Sequence, residues 1–174
     1  MRGHACFVRL DSVEPTIVRC AEQPYVGRRE SITMTEFARV ADHLPTMFAG
    51  LAQRGVQVTG APFFRYRLVD MADEMVVEAG IPVTGPVQVE PPDFVDRLPA
   101  GRYATVTHVG HPDQLMGVTA RLLDWAQRRG LSWDMTPTPT GERWSARLEI
   151  LMTNPAEQPD MHKWETVLLF KLAD

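Results

Sequence analysis

One acid in a strand-like segment stands out as able to do chemistry. Alternation along Arg143–Met152 places Trp144, Ala146, Leu148, Ile150 and Met152 on one face, and Arg143, Ser145, Arg147, Glu149 and Leu151 on the other. The apolar set should pack on helices, which leaves Glu149 facing away from them. If that face is open to water, Glu149 is a solvated acid beside Arg147. If the chain curls around a cavity, the same carboxylate lies in a partly apolar cleft, where it could pair with a cation or act as a base. Aromatic residues that could wall such a cleft cluster as Phe63, Phe64 and Tyr66 in one strand, and as Trp125, Trp133, Trp144 and Trp164 in the second half. Methionines such as Met34, Met47, Met71, Met135 and Met161 could add adaptable walls or simply fill gaps in a core.

Other chemistry is poorly provided for. His108-Val109-Gly110-His111 is a weak metal candidate, because histidines three apart across a strand-to-turn junction rarely converge. There is no G-x-S-x-G, H-E-x-x-H, phosphate-binding loop or G-x-G-x-x-G. No metal and no cofactor is expected.

Composition narrows the class. The 174 residues are 44% hydrophobic and 23% charged, which suits a globular fold able to bury a core. A net charge of −4 and scattered arginines argue against nucleic acid as a partner, since that needs a basic face. No apolar run approaches the ~18 residues of a spanning helix, and no signal-peptide core is visible, so no membrane partner and a cytoplasmic location are expected. Cys6 and Cys20, the only cysteines, are then expected to stay unbridged. Oligomeric state is not readable.

The elements that must position these residues recur in order. Thr16–Ile32 reads as strand. Thr33–Glu36 has capping-box spacing before an apolar stripe of Phe37, Val40, Leu44, Phe48 and Leu51, with a kink or break expected at Pro45 and a stop at Arg54-Gly55. Strands follow at Pro62–Val69 and Met75–Val83. Five prolines between residues 82 and 99 mark a connector, 84–100. Then come a strand over Gly101–Val109 and a helix carrying Leu115, Val118, Leu122 and Ala126 that ends at Gly130. A loop over Thr136–Gly141 precedes strands at Arg143–Met152 and Thr166–Leu172. Strand, helix, strand, strand thus appears twice, an α+β pattern with two helices on antiparallel sheet.

Three stretches carry a resemblance. Gly60-Ala61-Pro62-Phe63-Phe64-Arg65-Tyr66 with Glu78-Ala79-Gly80-Ile81-Pro82-Val83 is the first. Leu98-Pro99-Ala100-Gly101-Arg102-Tyr103-Ala104 with His108-Val109-Gly110-His111 is the second. The third is Leu148-Glu149-Ile150-Leu151-Met152-Thr153-Asn154-Pro155 with Pro159-Asp160 and Trp164. In order and spacing, over about residues 14–172, these resemble the GyrI-like small-molecule-binding family, which includes effector domains of AraC-type and MerR-type drug regulators and stand-alone proteins. The resemblance implies one domain over 1–174, built from duplicated βαββ modules (about 14–83 and 101–172). It also implies two helices on one side of the antiparallel sheet and a ligand cleft between the halves.

The acid that this family places in the cleft falls on Glu149, and a first-half pocket aromatic falls on Tyr66. The tyrosine often found two residues after the acid is replaced by Leu151. The expected ligand-binding set is Glu149, Tyr66, Phe64, His108, Leu151, Trp133 and Phe37. With no DNA-reading segment before residue 14, the expected function is a stand-alone binder of bulky lipophilic, aromatic or cationic small molecules. One alternative is a hydrolase of cyclopropane-bearing DNA-alkylating natural products, with Glu149 catalytic and Tyr66 or His108 assisting. A gyrase-inhibitor-like interaction module is another.

Overall fold

In the computed structural model, which describes residues 14–70 and 72–174, every strand pairing is antiparallel. The strands are β1 (Thr16–Cys20), β2 (Gln23–Ile32), β3 (Phe63–Val69), β4 (Met75–Pro82), β5 (Phe94–Leu98), β6 (Gly101–Val109), β7 (Met135–Thr138), β8 (Gly141–Trp144), β9 (Arg147–Leu151) and β10 (Glu165–Lys171). The helices are α1 (Phe37–Ala41), α2 (His43–Gln53) and α3 (Leu115–Arg128). The main sheet runs β1-β6-β10-β9-β3-β4-β2-β5, and β8 hangs the β7–β8 hairpin on β3.

That order is a twofold pattern, β6-β10-β9 against β3-β4-β2, with β9 and β3 at the seam. The edge strands are exchanged: β1 precedes the first half but pairs with β6, while β5 precedes the second half but pairs with β2. The register obeys the same symmetry. Cys20 opposite Gly101 matches Leu98 opposite Gln23. Val106 opposite Leu168 matches Arg28 opposite Ala79. Leu168 opposite Glu149 then matches Ala79 opposite Phe64. Glu149 and Phe64 are therefore equivalent positions, and they face each other across the seam, so the pseudo-twofold axis passes between them.

Chain length forces the sheet to curl. Only Ala21 and Glu22 join β1 to β2, a link of about 11 Å at full extension. In a flat sheet those strands would be separated by six spacings, or about 29 Å. The two-residue link Pro99-Ala100 between β5 and β6 imposes the same closure. The half-barrel encloses a core made by strands alone, including Tyr25, Phe63, Tyr103, Leu148, Ile150 and Leu169. The other face carries both helix layers, α1 and α2 against β2 and β4, and α3 against β6. Leu115, Val118, Leu122 and Ala126 form the buried stripe of α3.

Several expectations are corrected. Thr16–Ile32 is two strands rather than one, because its parts serve opposite ends of the sheet. The first helix does break, but at Asp42, three residues before Pro45. Pro45 is the third residue of α2, where the missing N–H has no intrahelical acceptor to lose. Half of the capping box forms, with the Thr33 N–H donating to Glu36 Oε1 at 2.9 Å. The connector 84–100 contributes β5, and the 136–141 loop is most of the β7–β8 hairpin. Met71, Cys6 and the rest of 1–13 lie outside the described residues. Cys20, 5% exposed at the end of β1, is disulfide-bonded, contrary to the expectation of a free thiol. That expectation rested on compartment, which does not decide this bond. No helix among the described residues is long and apolar enough to cross a membrane.

Candidate functional site

The helix face of the sheet is a grid of cross-strand rows, and the register places the candidate residues on it. One row runs Val106, Leu168, Glu149, Phe64, Ala79 across β6, β10, β9, β3 and β4. Flanking rows hold His108, Thr166 and Leu151 on one side, and Ala104, Phe170 and Arg147 on the other. Since α3 is anchored on β6 and α1–α2 on β2 and β4, strands β10, β9 and β3 lie between the helix layers. Glu149 sits at the middle of that interval, beside the pseudo-twofold axis.

The expected facing of β9 is thereby reversed. Ala146, Leu148 and Ile150 point into the strand-only core, while Glu149 shares the helix side with Trp144 and Leu151. Two causes account for it. Ser145-Ala146 interrupts the strand between β8 and β9, putting Trp144 and Arg147 on one face. The curled sheet also buries both faces, so an apolar alternation does not mark the helix side.

Glu149 keeps some solvent contact yet is packed among protein atoms. Burial pushes its carboxyl above the usual range, opposed by a hydrogen bond from the Tyr66 hydroxyl and by the charge of Arg147. Tyr66, 6% exposed, is itself pushed up well beyond an ordinary phenol by burial and by Glu149. From α1, Phe37 stacks on Phe64 at 6.4 Å and tilts against Tyr66 at 6.1 Å, forming a wall on the first-half side. Leu151 packs at the edge of the helix-face core.

A side chain that sequence reasoning treated only as a neighbour occupies the centre of the aromatic group. The Arg147 guanidinium lies 4.8 Å from the Phe170 ring centroid, 5.1 Å from Trp144 and 5.5 Å from Tyr66. Its Nε is buried without a hydrogen-bond partner, and burial lowers its proton affinity. Trp133 reaches this group indirectly, through ring contacts of 5.5 Å to Trp144 and 5.9 Å to Phe170. His108 stands in the row of Leu151, two strands from β9, with Nε2 buried and unpartnered. The structure thus brings Glu149, Tyr66, Phe64, Phe37 and Leu151 together, leaves His108 and Trp133 at the periphery, and adds Arg147, Trp144 and Phe170. Arg147 was discoverable as the residue two before Glu149 on the same face; Phe170 carried no local signal. His111 caps the turn before α3 by accepting from Asp113 N–H at 3.1 Å, and no grouping of three metal-ligating side chains exists among the described residues.

The chain is thus a curled antiparallel sheet with twofold-related helix layers and an acid beside its axis. The GyrI-like small molecule binding domain matches residues 13–169, and the chain belongs to that family. Its fold is similar to the EcmrR C-terminal domain (TM-score 0.74, 17% identity, covering 92% of this chain and 98% of that one). In the EcmrR–DNA complex the chain spans 57% of the EcmrR polypeptide. It is also similar to a hydrolase from Listeria innocua (TM-score 0.62, 14% identity, 93% of both chains). SAV2435 bound to tetraphenylphosphonium is a third similar structure (TM-score 0.53, 15% identity, 92% of this chain and 94% of that one). No curated protein matches significantly in sequence.

Proposed function

We propose that this domain binds bulky, lipophilic, flat or cationic small molecules, with Glu149 as the polar anchor and Tyr66, Phe64 and Phe37 as apolar walls. The observation that carries the reading is a partly accessible carboxylate on the central row between the two helix layers, beside the aromatic wall of Phe64, Phe37 and Tyr66. Aromatic walls supply area without demanding one shape, and one acid supplies a polar anchor. A unit pair at 4 Å is worth about 4 kcal/mol at an effective dielectric near 20, before desolvation. The tetraphenylphosphonium bound by SAV2435, a relative in fold, is a ligand of this chemical kind.

Titration with tetraphenylphosphonium and with uncharged triphenylphosphine oxide tests the reading. Glu149→Gln should weaken the cation by about 1–3 kcal/mol and leave the neutral compound nearly unchanged. Equal affinities for wild type and variant with both ligands would remove Glu149 from the site.

The neighbouring Glu149 and Tyr66 also support a second reading, a hydrolase of cyclopropane-bearing alkylating compounds. Glu149 would orient or deprotonate water, and Tyr66 would hydrogen-bond the carbonyl that gains charge. Turnover followed by product mass, lost in Glu149→Gln while substrate binding persists, would select it. Stoichiometric binding without product would reject it.

A further inference from the structure

We infer that Arg147 is a built-in occupant of the ligand's own cation position, so that the domain favours uncharged aromatic ligands bearing a hydrogen-bond acceptor and admits lipophilic cations only by displacing that guanidinium. This rests on the reading of Glu149 and Tyr66 as the ligand site and adds to it the charge class of the ligand.

The observations are geometric. A lipophilic cation would seek aromatic faces beside a carboxylate. Those faces are already engaged, because three rings surround the Arg147 guanidinium at 4.8–5.5 Å, and Tyr66 is one of them. Tyr66 also lies close enough to Glu149 for each to perturb the other's ionisation, so the ring that serves the cage stands beside the acid. Arg147 and Glu149 are two apart on one strand and share a face, so the resident positive charge stands beside the only carboxylate in the central row.

A second cation entering this partly desolvated space would meet repulsion from the first and compete with it for the same rings. An uncharged ligand meets neither obstacle. Its acceptor oxygen can receive an N–H of the guanidinium, and its rings can extend the wall formed by Phe64 and Phe37. The resident is also displaceable. Its Nε is buried with no acceptor, so that end of the group is held by ring faces rather than by a directional hydrogen bond.

The experiment uses the intact chain with tetraphenylphosphonium and triphenylphosphine oxide as probes. Arg147→Met keeps length and apolar contact while removing the charge; Arg147→Lys keeps the charge; Glu149→Gln reports on the site itself. Arg147→Met should tighten the phosphonium at least tenfold and weaken the phosphine oxide, whereas Arg147→Lys should leave the phosphonium within about threefold. In wild-type protein, the Arg147 Nε–Hε NMR resonance, shifted by the surrounding rings, should move toward that of exposed arginines when phosphonium saturates the site. This second measurement stands even if Arg147→Met fails to fold. If Arg147→Met leaves phosphonium affinity unchanged, or the resonance stays in place at saturation, while Glu149→Gln still weakens binding, the inference is overturned and the binding site stands. If Glu149→Gln also has no effect, the site reading itself has failed, and the inference falls with it.

Discussion

Burial raises the carboxyl of Glu149, while the Tyr66 hydroxyl and the Arg147 charge restrain the shift. An acid with a higher proton affinity in the folded state binds more protons folded than unfolded between its two pKa values. Stability therefore falls as pH rises from the ordinary carboxylate value through the raised one, and levels off above it. Glu149→Gln has no such slope and keeps an oxygen to accept from Tyr66. The stability of wild type relative to Glu149→Gln should decline from acid to neutral pH in chemical denaturation. A difference that stays constant across that range would mean that burial does not govern this acid.

Two elements are held by devices that can be tested separately. The interruption between β8 and β9 is fastened by Arg65, 4% exposed, whose Nη2 donates to the Ser145 carbonyl at 2.6 Å and whose Nη1 donates to the Tyr25 hydroxyl at 2.7 Å. Arg65→Met leaves both acceptors without that donor and should cost about 1–3 kcal/mol for each group left unsatisfied. It should also alter near-ultraviolet tryptophan signals, since Trp144 and Arg147 flank the break. Unchanged spectra would show that the break holds itself. Pro45 sits in the first turn of α2, so Pro45→Ala should change stability by less than about 1 kcal/mol, against about 3 kcal/mol for a proline in a helix interior. A calorimetric gain near the larger value would put the proline inside a continuous helix. Most of this layer was legible in sequence: the α3 stripe, the strands ending at Gly80-Ile81-Pro82, and Glu149 with Tyr66 through the family resemblance. The facing of β9 was not, because both faces of a curled sheet are apolar. β5 was hidden among prolines because its pairing partner, β2, lies far back in the sequence. The cage escaped notice because Phe170 and Tyr66 meet Arg147 only through long-range register.

For the whole molecule, the twofold register makes a prediction about charge. Phe64 and Glu149 are equivalent and opposed, so Phe64→Glu would set two carboxylates face to face in a buried row. Like charges so placed cannot both ionise cheaply, and one acid should hold its proton to higher pH. Phe64→Gln carries the same loss of ring packing without charge. Phe64→Glu should therefore be the less stable of the two at neutral pH, and that gap should close in a Glu149→Gln background. A gap that persists there would show that the two positions are not in contact. The same geometry bears on the chain's history. Two identical copies meeting on this axis, each lending an edge strand to the other, would have to present the same residue twice at the centre: two acids or two phenylalanines. Joining the copies into one polypeptide lifts that obligation, and an acid can then stand opposite an aromatic ring at the axis. Asymmetry at the axis, rather than any added element, is what the duplication supplies.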